Sequence, residues 1–144
     1  VHCGDAGAGQ AAKICNNMLL GISMIGVCEA FALAERLGLS PDRFFEIART
    51  SSGQCWSLTS YCPVPGPVPA SPANNDYKPG FASALMLKDL TLARTAADST
   101  GAVTPLGQHA QDIYKAFDAA GNGGVDFSGI IKHIRSLAED RGGR

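Results

Sequence analysis

The spacing of apolar residues predicts helices along most of the chain. A first helix should cover residues 9–37, with Gly38 ending it. It is apolar on nearly every side, which is typical of a helix at the centre of a protein core. Residues 40–42, Ser-Pro-Asp, then supply an N-cap, a first-turn proline and an acid for the positive end of a second helix. Residues 51–53 end that helix, and residues 54–60 add one further turn.

A proline-rich segment separates these helices from three more. Residues 62–80 contain six of the eight prolines and predict an irregular loop. Helices are predicted over residues 81–99, from Thr104 onwards, and near the C-terminal end. The second of these should begin with Thr104 as N-cap and Pro105 in the first turn. In the last two, the positions predicted to face the core are Leu106, Ala110, Ile113 and Phe117, then Phe127, Ile130, Ile131, Ile134 and Leu137. No segment alternates like a strand, so the predicted fold is all-α, a helical bundle around one long helix.

Charge and hydropathy argue against two classes of partner. The 144 residues carry a formal net charge of -1, and lysine and arginine are scattered, so no nucleic-acid surface is predicted. The longest uncharged run, residues 14–28, is shorter than the roughly 20 residues that cross a bilayer, so no membrane span is predicted. The chain has no initiator Met and no signal peptide, and we expect it to be a piece of a longer protein.

The cysteines and histidines predict no metal site. The five cysteines form no C-x-x-C pair, which favours reduced thiols in an intracellular protein over a Cys55–Cys62 disulfide. His2, His109 and His133 share no ligand spacing with cysteine or carboxylate.

A glycine-rich stretch near the start has two interpretations. Residues 7–12, Gly-Ala-Gly-Gln-Ala-Ala, fit the dinucleotide fingerprint G-x-G-x-x-A. A Rossmann unit, however, needs a strand before the glycines and a second strand after a helix of ordinary length. The helix predicted here is much longer, and residues 40–42 begin another helix where that strand should lie. The fingerprint is therefore disfavoured.

The second interpretation extends the pattern to G-x-G-x-x-x-K-x-x-x-N, which ends in Lys13 and Asn17. These two residues are one helical turn apart, on one face. Gly7 and Gly9 would let an anionic ligand approach the backbone N–H groups at the positive helix end. That end, together with burial among apolar neighbours, should favour the neutral amine of Lys13, the form that a general base requires.

The spacing alone is equally consistent with a lysine that only extends to solvent from the first turn. Asn16 and Asn17 favour a site, because asparagines in an apolar helix lower helix propensity and need polar partners. The apolar neighbours expected to bury Lys13 are Ile14, Cys15 and Met18.

Residues 7–17, GAGQAAKICNN, resemble the catalytic signature of the β-hydroxyacid dehydrogenases. The likeness continues through residues 51–57 (SSGQCWS), 63–66 (PVPG) and 86–90 (MLKDL), and the first two are most similar to 3-hydroxyisobutyrate dehydrogenases. It covers nearly the whole chain. It implies that residues 1–144 are a C-terminal α-helical domain for catalysis and dimerisation, similar to that of 6-phosphogluconate dehydrogenase. An N-terminal Rossmann domain that binds NAD would be absent from this chain.

The resemblance also implies roles for individual residues. Lys13 corresponds to the catalytic lysine and Asn17 to the asparagine that positions the substrate. Gly9 and Phe81 would help to bind substrate, and Lys88 would contact the NAD cofactor. The implied reaction is reversible oxidation of 3-hydroxyisobutyrate to methylmalonate semialdehyde, a step of valine degradation, which this chain alone should not catalyse.

The same resemblance implies the partners and the compartment. The chain would work with its own Rossmann domain and a small β-hydroxy acid, in a homodimer or homotetramer. It would lie in the cytoplasm of a bacterium or the mitochondrial matrix of a eukaryote.

Three alternatives remain. The first is a reductase of tartronate semialdehyde, glyoxylate or succinic semialdehyde that uses the same lysine. The second is a non-catalytic dimerisation module built on the helix that carries Gly21 and Gly26. The third is a calcium sensor, because residues 118–129 imitate an EF-hand loop, but Ala120 and Gly129 stand where ligands are needed. We expect instead that the glycines of this loop end one helix and that Asp126 caps the next.

Overall fold

The computed structural model describes residues 7–142 and confirms an all-α fold. Six α-helices follow one another in this part of the chain: α1 Ala8–Arg36, α2 Pro41–Ala48, α3 Trp56–Thr59, α4 Ser83–Thr100, α5 Pro105–Phe117 and α6 Ile130–Gly142. Short 3₁₀ helices cover Pro72–Asn75 and Phe127–Gly129, and a π-helical turn covers Asp118–Asn122. Within residues 7–142 the only strand-like pairing is an isolated bridge between Ala82 and Asp126.

Most helix boundaries lie within two residues of their predicted places. Ser40 caps α2 as predicted, because its hydroxyl accepts the Arg43 N–H at 3.3 Å. The turn expected within residues 54–60 is α3. Thr104 precedes α5, but its side chain makes no capping hydrogen bond, because its backbone lies at φ -129° and ψ 65°. The cap predicted for Thr104 is therefore wrong, while the start of the helix is right.

The long helix α1 is the centre of the bundle, and it contacts α2, α3, α4, α5 and α6. Met24, Cys28 and Phe31 are fully buried on it. Gly21 allows α4 to come close: a Cβ there would lie 3.1 Å from Leu90 Cδ2 and 3.2 Å from Met86 Cε. Substituting a larger side chain at this position would push the two helices apart.

By length and composition alone, α1 could also cross a membrane, although its uncharged run, residues 14–28, is shorter than a full span. Among the described residues it is the only such helix. Its position in the bundle is that of a core helix, because its fully buried residues contribute to the hydrophobic core.

The apolar faces of α5 and α6 differ in part from those predicted. Leu106 is 67% exposed, whereas Gly107, Ala110, Tyr114 and Phe117 are buried. The face of α5 is rotated because Gly107 lies against Met18 of α1: a Cβ on Gly107 would lie 2.7 Å from Met18 Sδ. At the far end of α6, Leu137 is exposed, because only the first turns of that helix reach the core.

A buried carboxylate connects the start of α6 to two loops. Asp126 Oδ1 accepts hydrogen bonds from the Tyr61 hydroxyl at 2.7 Å and from the N–H groups of Gly80 and Phe81 at 2.9 and 3.0 Å. Asp126 Oδ2 accepts from the N–H and the hydroxyl of Ser128. The cap predicted for Asp126 is confirmed, but the side chain also holds the segment that leads into α4. A fully buried charge needs this many donors to offset its lost hydration.

We expect Asp126→Ala to lower the free energy of unfolding by about 3–5 kcal/mol, because several buried donors lose their acceptor. Urea denaturation followed by circular dichroism would measure this loss. Asp98→Ala is the matched control, since Asp98 is exposed on α4 and its loss should change stability by less than about 0.5 kcal/mol. Equal effects of the two substitutions would contradict the structural importance of the Asp126 hydrogen bonds.

The three tyrosines of the sequence are all held in the neutral form. Burial raises the pKa values of Tyr61, Tyr77 and Tyr114, and for Tyr61 the hydrogen bond to Asp126 raises the pKa further. Because the raised pKa values belong to the folded state, their contribution to stability is complete below the unfolded value of about 10 and is lost as the pH rises above it.

We therefore expect little phenolate absorbance in the folded protein at about pH 10, the value at which a free tyrosine is half ionised. Above that pH the three tyrosines should ionise together as helical circular dichroism is lost. A titration midpoint near pH 10 in a fully helical protein would contradict this expectation.

Candidate active site

A cleft of about 220 Å³ lies between the first turns of α1 and the middle of α4. Lys13 and Asn17 both line it, one turn apart on the same face of α1. The residues that line the cleft are Gln10, Lys13, Ile14, Asn17, Asp89 and Leu92. It therefore combines one cation, one carboxylate and two amides with an apolar wall from each helix.

Asp89 orients the amide of Asn17. Asn17 Nδ2 donates a hydrogen bond of 2.7 Å to Asp89 Oδ2, across 72 positions of sequence. Because a carboxylate only accepts hydrogen bonds, the amide nitrogen must face α4. Asn17 Oδ1 then faces the other way and accepts from Asn16 Nδ2 at 3.2 Å. The sequence analysis did not predict Asp89 as a site residue. Its only indication was its position next to Lys88 in the MLKDL stretch that resembles the dehydrogenases.

Lys13 is exposed in the described structure, so the prediction that its apolar neighbours bury it is wrong. Cys15 is exposed as well, and Ile14 and Met18 are only partly buried. The reason is that α1 projects its first turns beyond the body of the bundle: its buried residues begin at Gly21. The described residues thus place Lys13 near a helix N-terminus without removing it from solvent.

Gly7 and Gly9 occupy different positions at the start of α1. Gly7 is the N-cap of α1 and has a φ of +91°, a left-handed conformation that favours glycine. Gly9 lies inside the first turn and is exposed, and a Cβ at this position would have no heavy atom within 4 Å. Backbone N–H groups of a first helical turn have no partner within the helix and can bind an anion.

Phe81 and Lys88 do not line the cleft. Phe81 precedes α4 and packs edge-on against Phe127, with the ring centroids 5.5 Å apart. Lys88 is exposed on α4. Adjacent helical residues point about 100° apart, so Asp89 faces the cleft while Lys88 faces solvent beside it.

The loop that imitates an EF-hand does not present a cation site. Both carboxylate oxygens of Asp126 already accept hydrogen bonds from the protein. Among the described residues, no three His, Cys, Asp or Glu side chains are grouped as metal ligands. His2, one of the histidines considered from the sequence, lies outside these residues.

The four described cysteines, Cys15, Cys28, Cys55 and Cys62, are free thiols, and Cys3 lies outside the described residues. Burial raises the pKa of Cys62 to about 11 and that of Cys28 well above its usual value. Reactivity depends on the thiolate, so these two buried thiols are structural.

Comparison with known proteins identifies the family. The profile described as "NAD-binding of NADP-dependent 3-hydroxyisobutyrate dehydrogenase" matches residues 7–134. The chain belongs to the 3-hydroxyisobutyrate dehydrogenase family. The matched range contains every residue of the cleft.

Individual members of the 3-hydroxyisobutyrate dehydrogenase family match nearly the whole chain. A probable 3-hydroxyisobutyrate dehydrogenase of Mycobacterium bovis is 56% identical over 139 residues, which are 96% of this chain and 47% of that protein. The mitochondrial 3-hydroxyisobutyrate dehydrogenase of Homo sapiens is 50% identical over 135 residues, 94% of this chain and 40% of that protein. The chain thus spans about half the length of the curated relatives it matches.

A solved member of the family has the same fold. The structure of the Mycobacterium tuberculosis 3-hydroxyisobutyrate dehydrogenase with L-serine superposes with a TM-score of 0.90 at 57% identity, covering 94% of this chain and 46% of that one. A second solved 3-hydroxyisobutyrate dehydrogenase, from Salmonella typhimurium, gives a TM-score of 0.76 at 28% identity, covering 88% of this chain and 42% of that one. The bundle therefore has the fold of the corresponding part of these two enzymes.

We expect the hydrogen bond between Asn17 and Asp89 to be measurable without any substrate. A double-mutant cycle with Asn17→Ala and Asp89→Ala should give a coupling energy of about 1 kcal/mol in urea denaturation, because the bond is charge-assisted and partly buried. The control cycle pairs Asn17→Ala with Asp98→Ala, farther along the same helix, and should be additive within about 0.3 kcal/mol. Equal coupling in both cycles would show that Asp89 does not hold Asn17.

Proposed function

We propose that this chain is the helical catalytic domain of an enzyme that reversibly oxidises 3-hydroxyisobutyrate to methylmalonate semialdehyde with NAD. The observation that carries the proposal is the meeting of Lys13 and Asn17 in one cleft at the start of α1, within a chain of this family. This reaction is a step of valine degradation, which the enzyme name of the relatives implies.

The volume of the cleft fits a small hydroxy acid and not a whole dinucleotide. At about 220 Å³ it is smaller than the roughly 300–1,000 Å³ of pockets for larger ligands. NAD, when bound, supplies the acceptor for the hydride that leaves the carbinol carbon. We assign most of its binding to a Rossmann domain elsewhere in the protein, which agrees with relatives about twice as long as this chain. Lys88, exposed next to Asp89, would contact the cofactor from the helical side.

The substrate class follows from the polar groups of the cleft. A carboxylate is attracted to the positive end of α1, where the N–H of Gly9 lies in the first turn. Asn17 positions the hydroxy acid, with its amide orientation set by Asp89. The Mycobacterium tuberculosis relative was solved with L-serine, which is itself a 3-hydroxy carboxylic acid. That ligand supports a short β-hydroxy acid as the substrate. The resemblance also assigns Phe81 to substrate binding, although in the helical domain this ring lies outside the cleft and packs against Phe127.

Lys13 would move the proton of the reaction. Its neutral amine takes the hydroxyl proton of the substrate as the carbinol carbon is oxidised, and returns it in the reverse direction. Lys13 is exposed in the helical domain, so the desolvation that favours the neutral amine would come from the domain that covers the cleft. The reaction would take place at the junction of the two domains.

The proposal includes a homodimer or homotetramer, in the cytoplasm of a bacterium or the mitochondrial matrix of a eukaryote. The name of the human relative describes that protein as mitochondrial, which supports the second compartment.

In the whole protein, Lys13→Ala should lower kcat by roughly 100- to 10,000-fold, the usual loss for a general acid–base residue. Lys13→Arg should fail as well, because a guanidinium does not release its proton at usable pH. Lys115→Ala, an exposed lysine at the end of α5, is the matched control and should leave kcat unchanged. Steady-state NADH formation from 3-hydroxyisobutyrate measures all three variants. A near-normal kcat for Lys13→Ala would refute the role of this lysine, and activity of residues 1–144 alone would refute the place given to the cofactor.

A further inference from the structure

Ile14 of α1 and Leu92 of α4 are two apolar residues of the cleft that do not support the core of the bundle. Both line the cleft between the two helices. Among the described residues, neither belongs to the hydrophobic core or packs against it, whereas Met86, Leu87 and Leu90 of α4 do. Leu92 is 45% exposed and Ile14 is half-buried. Their place in a polar cleft is therefore explained by what the cleft binds rather than by the stability of the bundle.

The direction of α4 brings Leu92 towards the first turns of α1. Asn17 meets Asp89 across the cleft, with 2.7 Å between the amide nitrogen and the carboxylate oxygen. Gly21 follows Asn17 on α1 and packs against Met86, which precedes Asp89 on α4, so the two helices run in opposite directions. Leu92 lies about one helical turn after Asp89. It is therefore displaced from the Asn17–Asp89 hydrogen bond towards the start of α1.

A β-hydroxy acid would meet the groups of the cleft in a fixed order. Its carboxylate, on C1, is attracted to the positive end of α1, and its hydroxyl, on C3, must reach the amine of Lys13. C2 lies between these two carbons, so its substituent points to a part of the cleft that neither polar group occupies. In 3-hydroxyisobutyrate this substituent is a methyl group. Ile14 follows Lys13 directly and, with Leu92, supplies the apolar surface that a methyl group requires.

We propose that Ile14 and Leu92 are specificity-determining residues, which enclose the methyl group at C2 of the substrate and select it over hydrogen or hydroxyl. The inference rests on the function proposed above and extends it to the part of the substrate that is selected. A hydrogen at C2 would leave the two side chains partly uncovered. A hydroxyl would lose hydration against them without gaining a hydrogen bond from either one.

The polar residues of the cleft do not provide an equivalent selection at C2. Asp89 is the single carboxylate among the described lining residues, and Asn17 already binds its Oδ2. An ammonium group at C2, as in L-serine, would have to compete with this amide. Gln10 lies one turn before Lys13, nearer the helix end that attracts the carboxylate. The apolar pair is thus the part of the cleft that distinguishes one C2 substituent from another.

The methyl group can be tested in the whole protein with two acids that differ only at C2, 3-hydroxyisobutyrate and 3-hydroxypropionate. An enclosed methyl group should make kcat/KM for the first acid roughly 10- to 200-fold higher than for the second. Leu92→Ala should lower this ratio by about 10-fold, mainly through a higher KM for 3-hydroxyisobutyrate, because one side of the enclosure is lost. The variant should fold, since Leu92 lies outside the core and alanine favours a helix at least as much as leucine.

Leu92→Gln tests the same position with a polar side chain of similar length. The amide can hydrogen-bond a hydroxyl at C2, so kcat/KM for glycerate should rise by about 10-fold relative to 3-hydroxyisobutyrate. Glycerate is the acid that a tartronate semialdehyde reductase would form. A shift of this kind would show that position 92 selects among the acids of the family.

Leu137→Ala is the matched control, because Leu137 is 46% exposed on α6 and lies outside the cleft. Both ratios should be the same in this variant as in the unaltered protein. A Leu92→Ala variant that loses kcat/KM equally for both acids would overturn the inference and assign Leu92 to contact with the domain that covers the cleft. Equal kcat/KM for the two acids in the unaltered protein would also overturn it. A whole protein that oxidises neither acid would refute the function proposed above and this inference with it, so the two failures are distinguishable.

Discussion

The carboxylate of Asp126 accepts hydrogen bonds from three separate segments of the chain, and the placement of α4 depends on them. It holds the N–H groups that lead into α4, the hydroxyl of Tyr61 beyond α3, and the first turn before α6. The backbone reinforces this junction, since the Ser83 N–H donates to the Val125 carbonyl and the Phe127 N–H donates to the Phe81 carbonyl, each at 2.8 Å. With the start of α4 held in this way, the helix can carry Asp89 to a defined position beside α1.

The cleft depends on how closely α4 approaches α1. Gly21 sets that approach, because Met86 and Leu90 rest directly on its backbone. One turn earlier on the same face, Asn17 meets Asp89, and a further turn earlier Lys13 reaches the mouth of the cleft. Three successive positions on one face of α1 therefore have different roles in the cleft. Gly21 packs against α4, Asn17 has its amide oriented by Asp89, and Lys13 carries the proposed catalytic amine. A change at Gly21 would disturb the site without touching any group in it.

The central part and the first turns of α1 have different surroundings. Its central part is buried and holds the bundle together, while its first turns extend beyond the core and leave Lys13 in solvent. The exposed side chain of Lys13 leaves the mouth of the cleft open.

The sequence by itself determined the helices, the cap at Ser40 and the common face of Lys13 and Asn17, because these depend on contacts between residues at most four positions apart. It also carried the resemblance to the dehydrogenases. Only the tertiary structure decided that Asp89 partners Asn17, that Leu106 faces outwards and that Lys13 is exposed. Those outcomes depend on how helices pack, and here two glycines, Gly21 and Gly107, set the approach of α4 and α5 to α1. The periodicity of a single helix identifies an apolar face but does not specify its exact rotation or the residue that will meet it from 72 positions away.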